Sequence, residues 1–142
     1  MDSQALVEQL MTPNPSTVSA NATLRDAAFV MESSDVGAVV ALNEDGTIFG
    51  ILTDRDIVVR ALAAGRDPQL TTVGEVCSRE LLALSPDQTV TDAARIMVEH
   101  SVRRLPVLKG GIPVGIVSLG DLALARDPDS ALGAISAAPA NR

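Results

Sequence analysis

The sequence predicts an α+β fold: two β-α-β-β-α repeats packed by a pseudo-twofold, preceded by a short N-terminal helix. Three observations predict it. The phrase Gly50-Ile51-Leu52-Thr53-Asp54-Arg55-Asp56 returns as Gly115-Ile116-Val117-Ser118-Leu119-Gly120-Asp121. Val7, Val18, Thr23, Asp26, Ala27, Ala28 and Met31 each have a counterpart 66 residues later, in Val73, Leu84, Thr89, Asp92, Ala93, Ala94 and Met97. Beyond Leu42/Leu108 the offset falls to 65, a one-residue difference of the kind a surface turn tolerates. Two copies are too few for an open solenoid, so they are expected to pack face to face.

The elements follow in order. Ser3 is placed to cap a short amphipathic helix through Met11, with Leu6, Val7 and Leu10 on one face and Pro13 and Pro15 ending it; Thr72 to Ser78 is its counterpart. Thr17 to Ala20 and Leu82 to Pro86 read as brief extended segments leading to helix starts. Thr23-Leu24-Arg25-Asp26 and Thr89-Val90-Thr91-Asp92 resemble capping boxes, with Asp in place of the usual Glu. The helices they open show the i, i+3, i+4, i+7 pattern in Leu24, Ala27, Ala28, Met31 and in Val90, Ala93, Ala94, Met97. Val36 to Leu42 and Val102 to Leu108 are apolar runs of strand length, joined through Asn43 to Gly46 and Lys109 to Gly111 to second strands at Ile48 to Thr53 and Pro113 to Ser118. Helices follow at Asp54 to Ala64, closed by Gly65, and at Leu119 to about Ala125. The repeats therefore span residues 7–65 and 72–126, with 127–142 expected to be a flexible tail.

Composition narrows the function. At 142 residues the chain holds one compact domain or two very small ones, and units of about 60 residues are marginal alone, so a shared core is expected. Hydrophobic residues make up 46% of the chain, yet Phe29 and Phe49 are the only aromatics. A net charge of −7 opposes nucleic-acid binding, which needs a basic face. No apolar run reaches the length of a membrane span, and Met1 to Leu10 lacks a basic leader pattern, so a cytoplasmic location is expected. With one cysteine, Cys77, and one histidine, His100, an intramolecular disulfide and a Cys/His metal cluster are both excluded. Cys77 aligns with Met11 and reads as a small buried hydrophobe.

The doubled phrase is where chemistry concentrates. A strand end leading into a helix N-terminus offers backbone N–H groups and a positive dipole to an anion. The hydroxyl of Thr53 or Ser118 adds a hydrogen bond, and a carboxylate three residues on, Asp56 or Asp121, suits the vicinal hydroxyls of a ribose. Together these spell a nucleotide. The competing interpretation is that both aspartates merely stabilise the first helical turn. Catalysis has no support: Gly115-Ile116-Val117-Ser118-Leu119-Gly120 places Ser one position late for a nucleophile elbow, and no P-loop or dinucleotide fingerprint is present.

On these residues Val7 to Ala125 resembles a tandem pair of CBS domains, a Bateman module. The resemblance implies two quasi-equivalent clefts between the repeats and a non-catalytic regulatory module that binds AMP, ADP, ATP or S-adenosylmethionine. Carried over residue by residue, Asp121 would hold the ribose and Ser118 the sugar or phosphate edge in one cleft. Ile116 would back the base, with Ala22, Ala27 and Val36-Gly37-Ala38 opposite and Arg103 and Arg104 meeting phosphate. The other cleft would use Asp56, Thr53 and Ile51 with Gln88, Ala93 and Val102 across; Gly37 and Ala38 replace the arginine pair there, leaving Arg55 as the local cation. Ala22 and Gln88 stand where a hydroxyl residue would be the better ligand contact. The resemblance further implies a homodimer, a separate target protein, no obligatory cofactor, and a likeness to bacterial stress-response proteins. A ligand-free interaction dimer with degenerate clefts is the alternative.

Overall fold

The computed structural model describes residues 5–79 and 82–126. They fall into two compact units: a continuous one, Pro15–Leu81, and a split one combining Met1–Asn14 with Leu82–Arg142.

In the continuous unit, β2 (Thr17–Ser19) runs parallel to β3 (Ala38–Leu42), which pairs antiparallel with β4 (Ile48–Thr53), giving the order β2-β3-β4. Between β2 and β3 lies α2 (Leu24–Ser34), whose start is the expected capping box: Asp26 N–H donates to Thr23 Oγ1 at 3.1 Å, and Thr23 N–H to Asp26 Oδ2 at 3.2 Å. The β3–β4 turn is closed by Gly46 at φ 86° and by Asp45, which accepts from the Thr47 hydroxyl at 2.6 Å. After β4 the chain makes one α-turn, α3 (Asp54–Asp56), and continues as a π-helix over Ile57–Leu62. Gly65, at φ 75°, ends the expected helical stretch. Leu24, Ala27, Val39, Ala41, Leu52, Ala61 and Val73 are fully buried in one core.

The split unit repeats this plan. Its sheet has the order β1-β6-β5, from β1 (Thr12–Pro13), β5 (Arg104–Lys109) and β6 (Ile112–Ser118), all antiparallel. Leu84 bridges in parallel to Val107, as β2 does to β3. Two helices, α5 (Val90–His100) and α6 (Leu119–Arg126), cover a core of Val7, Leu84, Ala93, Leu105, Val107 and Val117.

The repeats of the sequence and the units in space are offset by one segment. The stretch containing α1 (Val7–Leu10) and β1 opens the first repeat but docks on the second: Leu6 bridges Thr89, and Thr12 and Pro13 pair with Ile116 and Gly115. The equivalent stretch with α4 (Val73–Val76) docks on the first, through Thr72 to Thr23 and Ser78 to Ile51. The N-terminal helix is shorter than expected, with Leu6 as its N-cap; Ser3 and the expected tail lie outside the described residues. Cys77 is buried, and burial pushes its thiol up from the ordinary value, consistent with a packing role.

The α5 capping box carries a pH signature. The Thr89 N–H holds the Asp92 carboxyl below the usual carboxylate range, with help from the Thr89 hydroxyl and Arg95 against some desolvation. A carboxylate whose folded pKa is depressed contributes stability above its unfolded value, near 4, and loses it as pH falls through the folded value. Asp92→Asn should therefore melt below the wild type at pH 7, and the gap should close as pH falls through the depressed folded value of the Asp92 carboxyl. Melting curves from pH 7 to 2 check this; a gap independent of pH contradicts it.

Candidate functional site

Each unit brings the start of its first hairpin strand and its strand-to-helix cap to one end of its sheet. In the continuous unit Ala38 pairs with Thr53, and Asp54 N–H donates to Gly37 O at 2.9 Å, so Val36, Gly37 and Ala38 lie beside Thr53 to Asp56. In the split unit Arg104 pairs with Ser118, and Leu119 N–H donates to Arg103 O at 2.8 Å, so Val102, Arg103 and Arg104 lie beside Ser118 to Asp121.

Both copies of the doubled phrase are themselves capping boxes. Thr53 N–H donates to Asp56 Oδ2 at 3.0 Å and Asp56 N–H returns to Thr53 Oγ1 at 3.1 Å. Ser118 N–H donates to Asp121 Oδ2 at 2.8 Å and Asp121 N–H to Ser118 Oγ at 3.1 Å. The signature [ST]-x-x-[DE] that marked Thr23 and Thr89 stands at these positions too, but sequence reasoning read them as ligand contacts. The aspartates thus spend one oxygen on the backbone and retain one.

What each does with the second oxygen differs. Asp56 Oδ1 lies 3.8 Å from Arg60 Nε, one helical turn on, and Arg60 also donates to Val76 O at 3.2 Å. Asp121 has Ala125 at the same spacing, so no cation stands there. Its Oδ1 has no protein partner among the described residues. Arg60 was missed, although an Asp and an Arg four apart on a helix are a recognisable pair.

The surroundings diverge in charge as well. The split unit presents Arg103 and Arg104, both exposed and outside any ion pair among the described residues, against Asp121. The continuous unit presents Asp54 and Asp56 against Arg55, with Arg60 engaged. An anion is favoured at the first and opposed at the second. The two arginines also part company. Arg104 is in register with Ser118, whereas Arg103 lines a cavity of about 540 Å³ with Val102, Met97 and Leu119.

Other expected contacts have structural duties. Ala27 and Ala93, which the resemblance places on the walls of the two clefts, are completely buried in their own cores: each is the small residue that lets its helix approach the sheet. Gln88 Oε1 accepts from Ser85 N–H at 2.8 Å, closing a turn, and Ala22 O accepts from Val73 N–H at 2.8 Å. Ile51 and Ile116 are half-buried and occupied by backbone pairing with Ser78 and Thr12. Val36 and Arg55 are exposed.

The family model for the CBS domain matches this chain twice, over residues 7–62 and 73–127. The chain belongs to the CBS-domain family. It is 46% identical over 118 residues to the CBS domain-containing protein YhcV of Bacillus subtilis, covering 83% of each chain. It is 37% identical over 114 residues to hypoxic response protein 1 of Mycobacterium tuberculosis, covering 80% of each. Its fold matches the CBS domain pair of protein MJ0100, solved in complex with 5′-methylthioadenosine and S-adenosyl-L-methionine. That match has a TM-score of 0.79 over 89% of this chain and 98% of that one, at 24% identity. CBS-domain proteins are in general regulatory modules, and within the described residues no helix is long and apolar enough to cross a membrane.

Proposed function

We propose that this CBS pair is a non-catalytic cytoplasmic sensor whose split unit binds an adenosine-containing ligand, AMP, ADP, ATP or S-adenosylmethionine. The observation that carries the reading is the Oδ1 of Asp121 beside the Ser118 cap, with Arg104 in register across the strand pair, neither having a side-chain partner among the described residues. A carboxylate oxygen accepts from ribose hydroxyls, and a guanidinium takes phosphate or carboxylate. The fold holds adenosyl ligands in MJ0100, which supports the ligand class at the level of fold.

The continuous unit is the weaker site, because its Asp56 is already shared with Arg60 and Asp54 adds a second negative charge. The sensor acts as a homodimer and passes its state to a separate target protein by shifting between conformations of unequal ligand affinity. Likeness to hypoxic response protein 1 supports a place in stress response.

Calorimetric titration of the full chain with AMP, ADP, ATP and S-adenosylmethionine tests this. At least one should bind below about 1 mM, a binding free energy near −4 kcal/mol. No heat from any of them at millimolar concentration overturns the sensor and leaves the ligand-free interaction dimer.

A further inference from the structure

The far end of the split unit's sheet holds a second concavity. Arg104 and Ser118 mark one end of the β5–β6 pair, and Lys109 and Ile112 the other, where Gly110 and Gly111 turn the chain at φ 61° and 80°. At the turn end lies a cavity of about 540 Å³, within the roughly 300 to 1,000 Å³ of small-molecule sites. Its lining residues all belong to the split unit. Met11, Leu108 and Val114 give it a half-buried apolar floor, and Glu8, Asp87 and Lys109 bring exposed charges. Glu8 N–H donates to Pro86 O at 3.1 Å, which seats α1 against the turn that carries Asp87. Asp87 accepts from the Ser85 hydroxyl at 2.7 Å through one oxygen, and neither Glu8 nor Lys109 has a side-chain partner among the described residues.

The other repeat shows what such a space accepts. Val114 corresponds to Phe49 and Glu8 to Gly74, at the offsets that align the rest of the chain. In the continuous unit the Phe49 ring is half-buried and lies along Gly74, where an added Cβ would stand 3.4 Å from two of its carbons. Arg79 covers that ring, its guanidinium 3.8 Å from the centroid. An aromatic ring under a charged group thus completes the continuous unit from within. The split unit has Val114 where the ring stands and Pro13 at the position of Arg79, and the space there is a cavity.

We propose that this cavity is a separate binding site for a free aromatic α-amino acid. The ring lies on Met11, Leu108 and Val114, the ammonium group between Glu8 and Asp87, and the carboxylate on Lys109. The charges select the zwitterion. An aromatic acid without an amine meets two carboxylates and one ammonium, and a neutral ring answers none of the three. The amino acid answers both signs from a single carbon. Phosphate is opposed by the same two carboxylates, so the ligand differs in class from the one assigned to the Ser118–Asp121 end.

Amide NMR titration of the full chain with L-phenylalanine, L-tyrosine and L-tryptophan, without nucleotide, tests the site. At least one should bind below about 1 mM and shift Met11, Leu108 and Val114 while leaving Ser118 to Asp121 in place. Phenethylamine and 3-phenylpropanoate, each lacking one charge, should bind at least about tenfold more weakly. Lys109→Glu, at an exposed position, should keep the wild-type melting curve and lose a similar factor. Val114→Phe restores the ring that the continuous unit carries at Phe49, so it should abolish binding and raise the melting temperature. No shift from any of the three amino acids at several times the expected dissociation constant overturns the site. Phenethylamine or 3-phenylpropanoate binding as tightly as the amino acid overturns the zwitterion, and full affinity in Lys109→Glu overturns the placement. Each result is read without an adenosyl ligand and away from Asp121, so the sensor proposal is tested separately.

Discussion

Gly50→Ala is expected to destabilise the continuous unit by about 2 to 3 kcal/mol, while Gly115→Ala at the matching position costs about 1 kcal/mol. Both glycines sit where the exchanged segment crosses a β-strand. A Cβ on Gly50 would stand 2.5 Å from Ser78 O and 2.8 Å from Cys77 Sγ. The Ser78 carbonyl cannot withdraw cheaply, because it accepts from Ile51 N–H at 3.0 Å while Ser78 N–H returns to Ile51 O at 2.9 Å. On Gly115 the same methyl would meet the Met11 side chain, chiefly its Sδ and Cγ, which rotates away on three soft torsions. The 3.1 Å approach to Met11 Cβ leaves a residual cost. Urea midpoints for the two variants, with unchanged slopes, measure the difference. Equal losses would mean that backbone pairing of the 72–78 segment is softer than its hydrogen bonds imply.

That asymmetry shows where the sequence was legible. The repeat, the two capping boxes at Thr23 and Thr89, the hairpins and the positions of both strand-to-helix phrases could all be read from periodicity and turn chemistry, because those signals are local. Which segment docks on which repeat was not legible. Leu6 to Met11 and Thr72 to Cys77 match at the same offset, so either satisfies either core, and the exchange depends on long-range geometry. The two-residue β1 strand was missed because Pro13, which lacks an N–H, lies on a sheet edge where none is needed. At the site, the same local signature was read correctly at Thr89 and passed over at Ser118, where the glycine and aspartate suggested a ligand. The structure shows that Ser118 and Asp121 form the cap, and the spare oxygen of Asp121 leaves room for the second role.

The second large effect concerns that oxygen. Asp121→Asn retains an acceptor for the Ser118 N–H, so α6 keeps its cap and the variant stays folded, yet it loses the negative charge and one acceptor. Hydrogen bonds to a charged group are worth about 1.5 to 3 kcal/mol, so adenosyl ligand affinity should fall by roughly 10- to 100-fold. Arg104→Ala should cost a comparable factor for ATP and much less for an uncharged adenosine, because its partner is the anionic end of the ligand. Asp56→Asn, in the unit where Arg60 already competes, should change the tighter binding step less than threefold.

The most direct measurement is a calorimetric titration of wild type, Asp121→Asn and Asp56→Asn with the tightest-binding ligand of the panel, at matched ionic strength. The structure predicts that the strong step disappears or weakens at least tenfold in Asp121→Asn and persists in Asp56→Asn. Full affinity in Asp121→Asn, or loss confined to Asp56→Asn, would contradict the assignment of the ligand to the Ser118–Asp121 end of the split unit.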